Sequence, residues 1–170
     1  HRAFRKFLVR LRAIRVLDPA CGSGNFLYVA LQLLKDLEKE AILWGAETLG
    51  TTQETPGVGP EAVHGIELNP YAAELARVTI WIGQIQWMVS NGFSYRTNPI
   101  LERLETIEQR DAVLDLQEPK HPVKAVWPEV DFVVGNPPFI GGKKLRESLG
   151  DGYVDALFRA WDGEVPREAD

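Results

Sequence analysis

Two hydrophobic periodicities alternate along this chain. Short apolar runs bounded by Gly, Pro, Asn or Asp read as β-strands at residues 14–17, 62–68 and 130–135, with a less apolar one at 106–111. Between them the spacing shifts towards 3.6. Phe4, Phe7, Leu8 and Leu11 predict a short amphipathic helix over residues 2–13, mixed with Arg and Lys. Downstream of Gly24, Phe26, Ala30, Leu33, Leu37, Ala41 and Trp44 form one stripe, with Lys35, Glu38, Lys39 and Glu40 largely outside it. This predicts a helix of about five turns that packs through that stripe. Asn69 and Pro70 mark another start, because Asn caps free backbone N–H groups and Pro suits the first helical position. Leu75, Val78, Ile82, Ile85 and Val89 follow at spacings of three and four, Trp81 and Trp87 fit a core or interface, and Asn91-Gly92 ends the helix. Residues 45–61 read as a loop insertion, residues 93–106 as a connection with one helical turn, and residues 115–128, with three prolines, as loop. Gly141 and Gly142 suggest a flexible exit, and residues 153–161 one more helix.

Alternating strands and helices imply right-handed βαβ units, hence an α/β fold with a parallel sheet flanked by helices. Ligands of such sheets sit beyond the carboxyl ends of the strands. Asp18, Glu67, Asp111 and Asn136 each fall at or near a predicted carboxyl end. Four residues distant in sequence are therefore expected on one rim.

Composition narrows the classes. A length of 170 residues suffices for one domain with a core, and 45% hydrophobic with 25% charged residues fits a globular protein. No apolar run is long enough to span a bilayer and no basic-then-apolar leader appears, so no membrane partner is expected. The single cysteine, Cys21, builds neither a disulfide framework nor a zinc site, which points to a reducing cytoplasm. His64 and His121 lack partners at metal-ligand spacing, and no metal is expected. A net charge of −5 and a pI near 5.3 argue against this chain gripping DNA strongly by itself, since phosphate contacts need clustered Lys and Arg. Lys143-Lys144 reads as a solvated pair rather than a phosphate contact. A start at His1 and an end soon after residue 136 suggest an excised piece of a larger protein.

Two motifs carry the chemistry. In Asp18-Pro-Ala-Cys-Gly-Ser-Gly24, Gly22 and Gly24 permit a tight turn and close ligand approach, and the helix behind them offers free N–H groups. A dinucleotide site would want a third glycine where Leu27 stands. Asp18 would repel a phosphate but attract the α-amino group of a methionine moiety. The plain alternative is a strand-to-helix turn without a ligand. Glu67 can accept bonds from both hydroxyls of a ribose, or simply face solvent. Asp111 can meet the exocyclic amine of an adenine, or be a turn residue.

The second motif, Asn136-Pro137-Pro138-Phe139, is the sharper one. The Asn136 side-chain oxygen and the Pro137 carbonyl are two acceptors fixed close together, and the prolines bring no competing N–H. Such a pair can hold both N–H bonds of an aromatic amine, draw its lone pair out of conjugation and aim it at an electrophile. Phe139 offers a face for base stacking, a contact worth roughly 1–3 kcal/mol. Positioning and preset dipoles supply the rate, without a metal or a covalent nucleophile. The alternative is a Pro-rich turn with a packed Phe.

The run from Val16 to Leu27 resembles motif I of the S-adenosylmethionine-dependent DNA adenine-N6 methyltransferases. Gly65-Ile-Glu-Leu-Asn-Pro70 resembles their motif II, Asp111 their motif III acid, and Asn136-Pro-Pro-Phe139 their motif IV. The order is that of the gamma class, and the long spacers resemble single-chain type II restriction-modification enzymes that fuse methyltransferase and endonuclease. The resemblance implies a Rossmann-like S-adenosylmethionine methyltransferase fold with a partial parallel sheet, residues 1–170 forming the N-terminal part of a catalytic domain. It implies S-adenosyl-L-methionine as cofactor, with Asp18, Cys21 and Gly22 at its methionine end, Glu67 at its ribose and Asp111 at its adenine. Ala20, Gly24 and Leu68 complete that set. It implies Asn136, Pro137, Pro138 and Phe139 as the catalytic group around a flipped adenine. Double-stranded DNA is the implied partner, through a full-length parent with a fused or associated endonuclease and a target-recognition domain, in a prokaryotic cytoplasm. The later motifs and the recognition domain are absent, so the isolated fragment is expected to have little or no activity.

Three rivals share parts of this pattern. One is a methyltransferase acting on a protein glutamine amide or an RNA base. Another is a non-catalytic DNA-binding subunit of a defence complex that keeps the fold for binding. The third, a nicotinamide dehydrogenase, lacks the third glycine and has no use for Asn136-Pro-Pro-Phe139.

Overall fold

The computed structural model describes residues 1–93, 104–116, 122–140 and 142–164. Its elements are α1 (Arg2–Ala13), β1 (Val16–Asp18), α2 (Asn25–Leu49), a 3-10 turn (Pro60–Ala62), β2 (Val63–Glu67), α3 (Pro70–Ser90), β3 (Ile107–Gln109), β4 (Leu114–Asp115), β5 (Val123–Lys124), β6 (Phe132–Val133), α4 (Gly142–Leu149) and α5 (Asp151–Ala160). The main sheet has the order β3-β2-β1-β6 and is wholly parallel. The expected α/β architecture is therefore present. The chain winds outward from β1 to β3, then returns to the far side of β1 as β6. The winding reverses between β1 and β6, the place where open α/β sheets form a ligand crevice.

Register fixes the rim. Leu17 lies opposite both His64 and Val133, and Glu67 opposite Gln109. Asp18, Glu67, Asp111 and Asn136 consequently all leave the sheet at its carboxyl edge.

The helices depart from expectation in which face they bury. On α2 the buried positions are Leu27, Leu31, Lys35, Glu38, Ile42 and Gly45, while Phe26, Leu33, Leu37 and Trp44 of the predicted stripe are exposed. At 3.6 residues per turn the two sets lie roughly 130° apart around the helix. On α3 the buried set is Ala73, Ala76, Ile80, Gly83 and Trp87, while Leu75, Val78, Ile82 and Val89 are exposed. Trp87 and the partly buried Trp81 do pack in the core. The physical reason is close approach. A Cβ on Gly83 would lie 2.7 Å from the Tyr28 ring, and one on Gly45 2.4 Å from Phe4. Small residues let the helix backbones come near their neighbours, so they define the packed side, and the larger apolar residues face outward.

Lys35 and Glu38 are buried because the chain entering β2 needs partners. Glu38 accepts hydrogen bonds from the Gly57 and Val58 N–H groups at 2.8 and 2.7 Å, and from Arg12 Nε at 2.6 Å. Lys35 Nζ donates to the Val58 carbonyl at 2.8 Å and lies 4.4 Å from the Trp87 ring centroid. This clasp accounts for two fully buried charges in one helix.

Other boundaries also shift. α2 runs through Leu49 rather than ending near Trp44, which shortens the expected loop at 45–61. The expected loop at 115–128 contains an antiparallel pair, with Leu114 opposite Lys124 and Asp115 opposite Val123. Where a flexible exit was expected after Gly141, α4 forms; Gly141, His121 and most of the 93–106 connection lie outside the described residues, as does the Lys143 side chain. Asn69 caps α3 as expected, its Oδ1 accepting from the Tyr71 and Ala72 N–H groups. Among the described residues no helix is long and apolar enough to cross a membrane.

Candidate functional site

The turn after β1 is shaped by its glycines. Gly22 and Gly24 have φ of +54° and +85°, the left-handed region that side chains rarely adopt. A Cβ on Gly24 would also sit 3.1 Å from Ala76 Cα, so this glycine lets the start of α2 meet α3. The Cys21 N–H donates to the Ile66 carbonyl at 3.1 Å and ties the turn to β2.

Two carboxylates face this turn. Asp18 is buried, its Oδ1 accepting from the Ala20 N–H at 3.0 Å. Burial pushes its pKa up, the Ala20 bond works against that, and the charge of Glu67 adds to the rise. Glu67 Oε2 accepts from the Gly22 N–H at 2.9 Å and Oε1 from the Asn69 N–H at 2.8 Å. About four acceptor positions exist on a carboxylate, so Glu67 can still receive two hydroxyl donors. Cys21 is buried beside both acids, and burial with their charges pushes its thiol up to about 12. Cys21 is thus a neutral wall rather than a nucleophile. A crowded pair of acids next to an open-ended helix suits a cationic ligand with polar arms.

The Asn136 loop meets this turn directly. The Val134 N–H donates to the Leu17 carbonyl at 2.8 Å. A Cβ on Gly135 would lie 2.6 Å from Asp18 Oδ1, so Gly135 is the point of closest approach between the two motifs. Asn136, Pro137, Pro138 and Phe139 follow, all exposed, and Phe139 is 87% exposed. Gly135 was missed in the sequence although it immediately precedes the motif.

The third strand leads to a cavity of about 640 Å³ lined by Leu68, Glu108, Arg110, Asp111, Leu114 and Val126, among others. Asp111 Oδ1 accepts from the Val113 and Leu114 N–H groups at 2.7 and 3.1 Å, and Oδ2 from Tyr153 Oη at 2.8 Å. Arg110 Nε pairs with Glu108 at 2.6 Å and its Nη2 donates to the Val126 carbonyl at 2.9 Å. Asp18, Ala20, Cys21, Gly22 and Gly24 therefore share one turn to which Glu67 is bonded, Gly135 brings the start of the Asn136–Phe139 loop close to it, and Leu68 and Asp111 border the neighbouring cavity. Nothing in the sequence pattern pointed to Tyr153 or Arg110. Among the described residues no group of three or more His, Cys, Asp or Glu is placed to hold a metal ion.

Comparison with known proteins follows the same residues. A family model described as MmeI, DNA-methyltransferase domain, matches residues 1–159. DNA methyltransferase A of Bacillus subtilis (strain 168) is 32% identical over 160 residues, which are 93% of this chain and 18% of that protein. The structure of the type IIL restriction-modification enzyme MmeI in complex with DNA superposes with a TM-score of 0.64 at 21% identity, covering 99% of this chain and 22% of that one, a likeness of fold. The chain thus spans about a fifth of the length of these relatives.

Proposed function

The chain belongs to the MmeI DNA-methyltransferase domain family, and from that premise we propose that it carries the cofactor turn and amine clamp of a DNA adenine-N6 methyltransferase. S-adenosylmethionine supplies an electrophilic methyl group when bound. The donor set fits it: Asp18 and Glu67 favour its positive charges, Glu67 has acceptor capacity for ribose hydroxyls, and Leu68 and Asp111 border a cavity of a size for the adenine. Asn136 Oδ1 and the Pro137 carbonyl would accept the two N–H bonds of a flipped adenine N6, with Phe139 stacked on the base. Held in this way, the amine would present its lone pair to an electrophilic methyl group.

The observation that supports this reading is the close approach of Gly135 to Asp18 across the parallel β1–β6 pair, which brings the Gly22 turn and the start of the Asn136 loop together. Residues 1–170 act here as the N-terminal part of a catalytic domain. Double-stranded DNA, a recognition domain, a fused or associated endonuclease and a cytoplasmic setting belong to the same reading, the relatives being four- to fivefold longer.

Tritium transfer from S-adenosylmethionine to DNA by the full-length protein tests it. Label should appear as N6-methyladenine, and Asn136→Ala should lower kcat on the order of 10²-fold, in line with the loss of a preset polar partner in a transition state. Label found in cytosine, in RNA or in protein amides would replace adenine with another acceptor. Cofactor binding without any methyl transfer would favour a non-catalytic subunit.

A further inference from the structure

Tyr153 lies outside every motif yet touches the site. Its hydroxyl donates to Asp111 Oδ2, and Asp111 Oδ1 already accepts two backbone N–H groups. Three of about four acceptor positions on that carboxylate are filled, leaving one for a ligand in the adjoining cavity. Tyr153 belongs to α5, and α5 follows the Asn136–Phe139 loop through α4. The opposite end of α5 is docked on the β3–β4 turn by Trp161 Nε1, 3.4 Å from the Val113 carbonyl, and on β5 by Lys124, whose Nζ lies 4.8 Å from the Trp161 ring centroid. Val154 and Ala156 are buried behind it. Burial and the neighbouring Asp111 push the Tyr153 phenol far above its ordinary range, so it remains a donor at every working pH.

We infer that Tyr153 is a positioning residue that orients Asp111 towards the exocyclic amine of the cofactor and straps α5 to the nucleoside pocket. This rests on the methyltransferase reading above. With two backbone donors on one oxygen and a phenol on the other, Asp111 cannot rotate, so a single lone-pair direction is presented to the ligand. Val134 holds the upstream end of the loop on β1, and Tyr153 holds α5 on Asp111. Occupancy of the cavity would accordingly be felt in α5.

Calorimetry with two probes separates this role from mere support of the fold. The probes are S-adenosylhomocysteine and its purine analogue bearing hydrogen in place of the 6-amino group. In the unaltered protein, loss of the amino group should weaken binding roughly tenfold, the scale of a hydrogen bond to a charged acceptor. In Tyr153→Phe, which keeps the ring, the same change should cost only about two- to threefold. An unchanged ratio overturns the role of Tyr153. A second measurement needs no variant: S-adenosylhomocysteine should slow amide hydrogen exchange across Asp151–Ala160 several-fold in the unaltered protein, and unaltered exchange overturns the strap. If the unaltered protein binds neither probe, the cofactor reading itself falls, a result distinct from loss of the coupling alone.

Discussion

Gly135 shows what one missing side chain does. It lies where the strand leading to Asn136 passes Asp18, and a Cβ there would lie 2.6 Å from a carboxylate that is itself buried and bonded to the Ala20 N–H. Asp18 cannot simply swing aside, because it would give up that bond inside the fold. Although Gly135 itself is exposed, Gly135→Ala must displace this buried carboxylate and should therefore cost about 1–3 kcal/mol of stability, the range for overpacking. On the methyltransferase reading proposed above, it should also push Asn136 away from the Gly22 turn, lowering kcat of the full-length protein by at least tenfold while S-adenosylmethionine affinity changes less. Urea denaturation and separate measurement of kcat and Kd check this. A variant of full activity would show that the two motifs need not touch. The placement of Asp18, Gly22, Glu67 and Asn136 on one rim was legible in sequence because turns and strand ends demand particular residue types. The partner of Asp111 was not, since Tyr153 reaches it from 42 residues away.

At the scale of elements, α2 carries the most informative conflict. Its buried Lys35 breaks the pattern of an apolar stripe, and burial lowers its pKa to about 8 from 10.5, with Glu38 and Glu61 opposing the shift. Between about pH 8 and 10.5 the unfolded chain holds more protons at this position than the native one, so stability attributable to Lys35 rises with pH across that window. Below about pH 8 both states carry the charge and the desolvation penalty stands in full. Lys35→Met has no such titration. The stability of the unaltered protein relative to this variant should hence increase from pH 8 to pH 10, a trend that paired urea titrations reveal. A difference flat in pH would mean that water reaches the ammonium. Periodicity could not identify this face, because α2 and α3 are apolar on both sides. The small residues Gly45, Ala73, Ala76 and Gly83 were the available signal, since closely packed helices need them where backbones meet.

For the whole molecule the consequence is an unusual amount of outward apolar surface. Phe26, Val29, Leu33, Leu37 and Trp44 on α2 are each 45–64% exposed, and Tyr71, Leu75, Val78, Ile82 and Val89 on α3 between 38 and 73%. Phe132 and Val133 add an apolar strand that pairs on one side only among the described residues. Contiguous patches of this kind mark contact surfaces or drive association. Residues 1–170 expressed alone should self-associate in a concentration-dependent way. Leu33→Lys combined with Ile82→Lys should reduce that association while leaving the melting temperature within a few degrees. Sedimentation velocity reads the outcome, and a monomeric unaltered chain would refute it.

The covalent order of this chain determined that strands end in Asp18 and Glu67 and lead on to Asp111 and Asn136, that Gly22 and Gly24 make the turn, and that Asn69 starts α3, because each of these is a local demand of backbone geometry or hydrogen bonding. Tertiary structure decided which stripe of α2 and α3 faces the sheet, why Lys35 and Glu38 are inside, and what holds Asp111. Those outcomes depend on which distant surfaces approach closely enough to exclude water, and neither residue spacing nor propensity carries that distance.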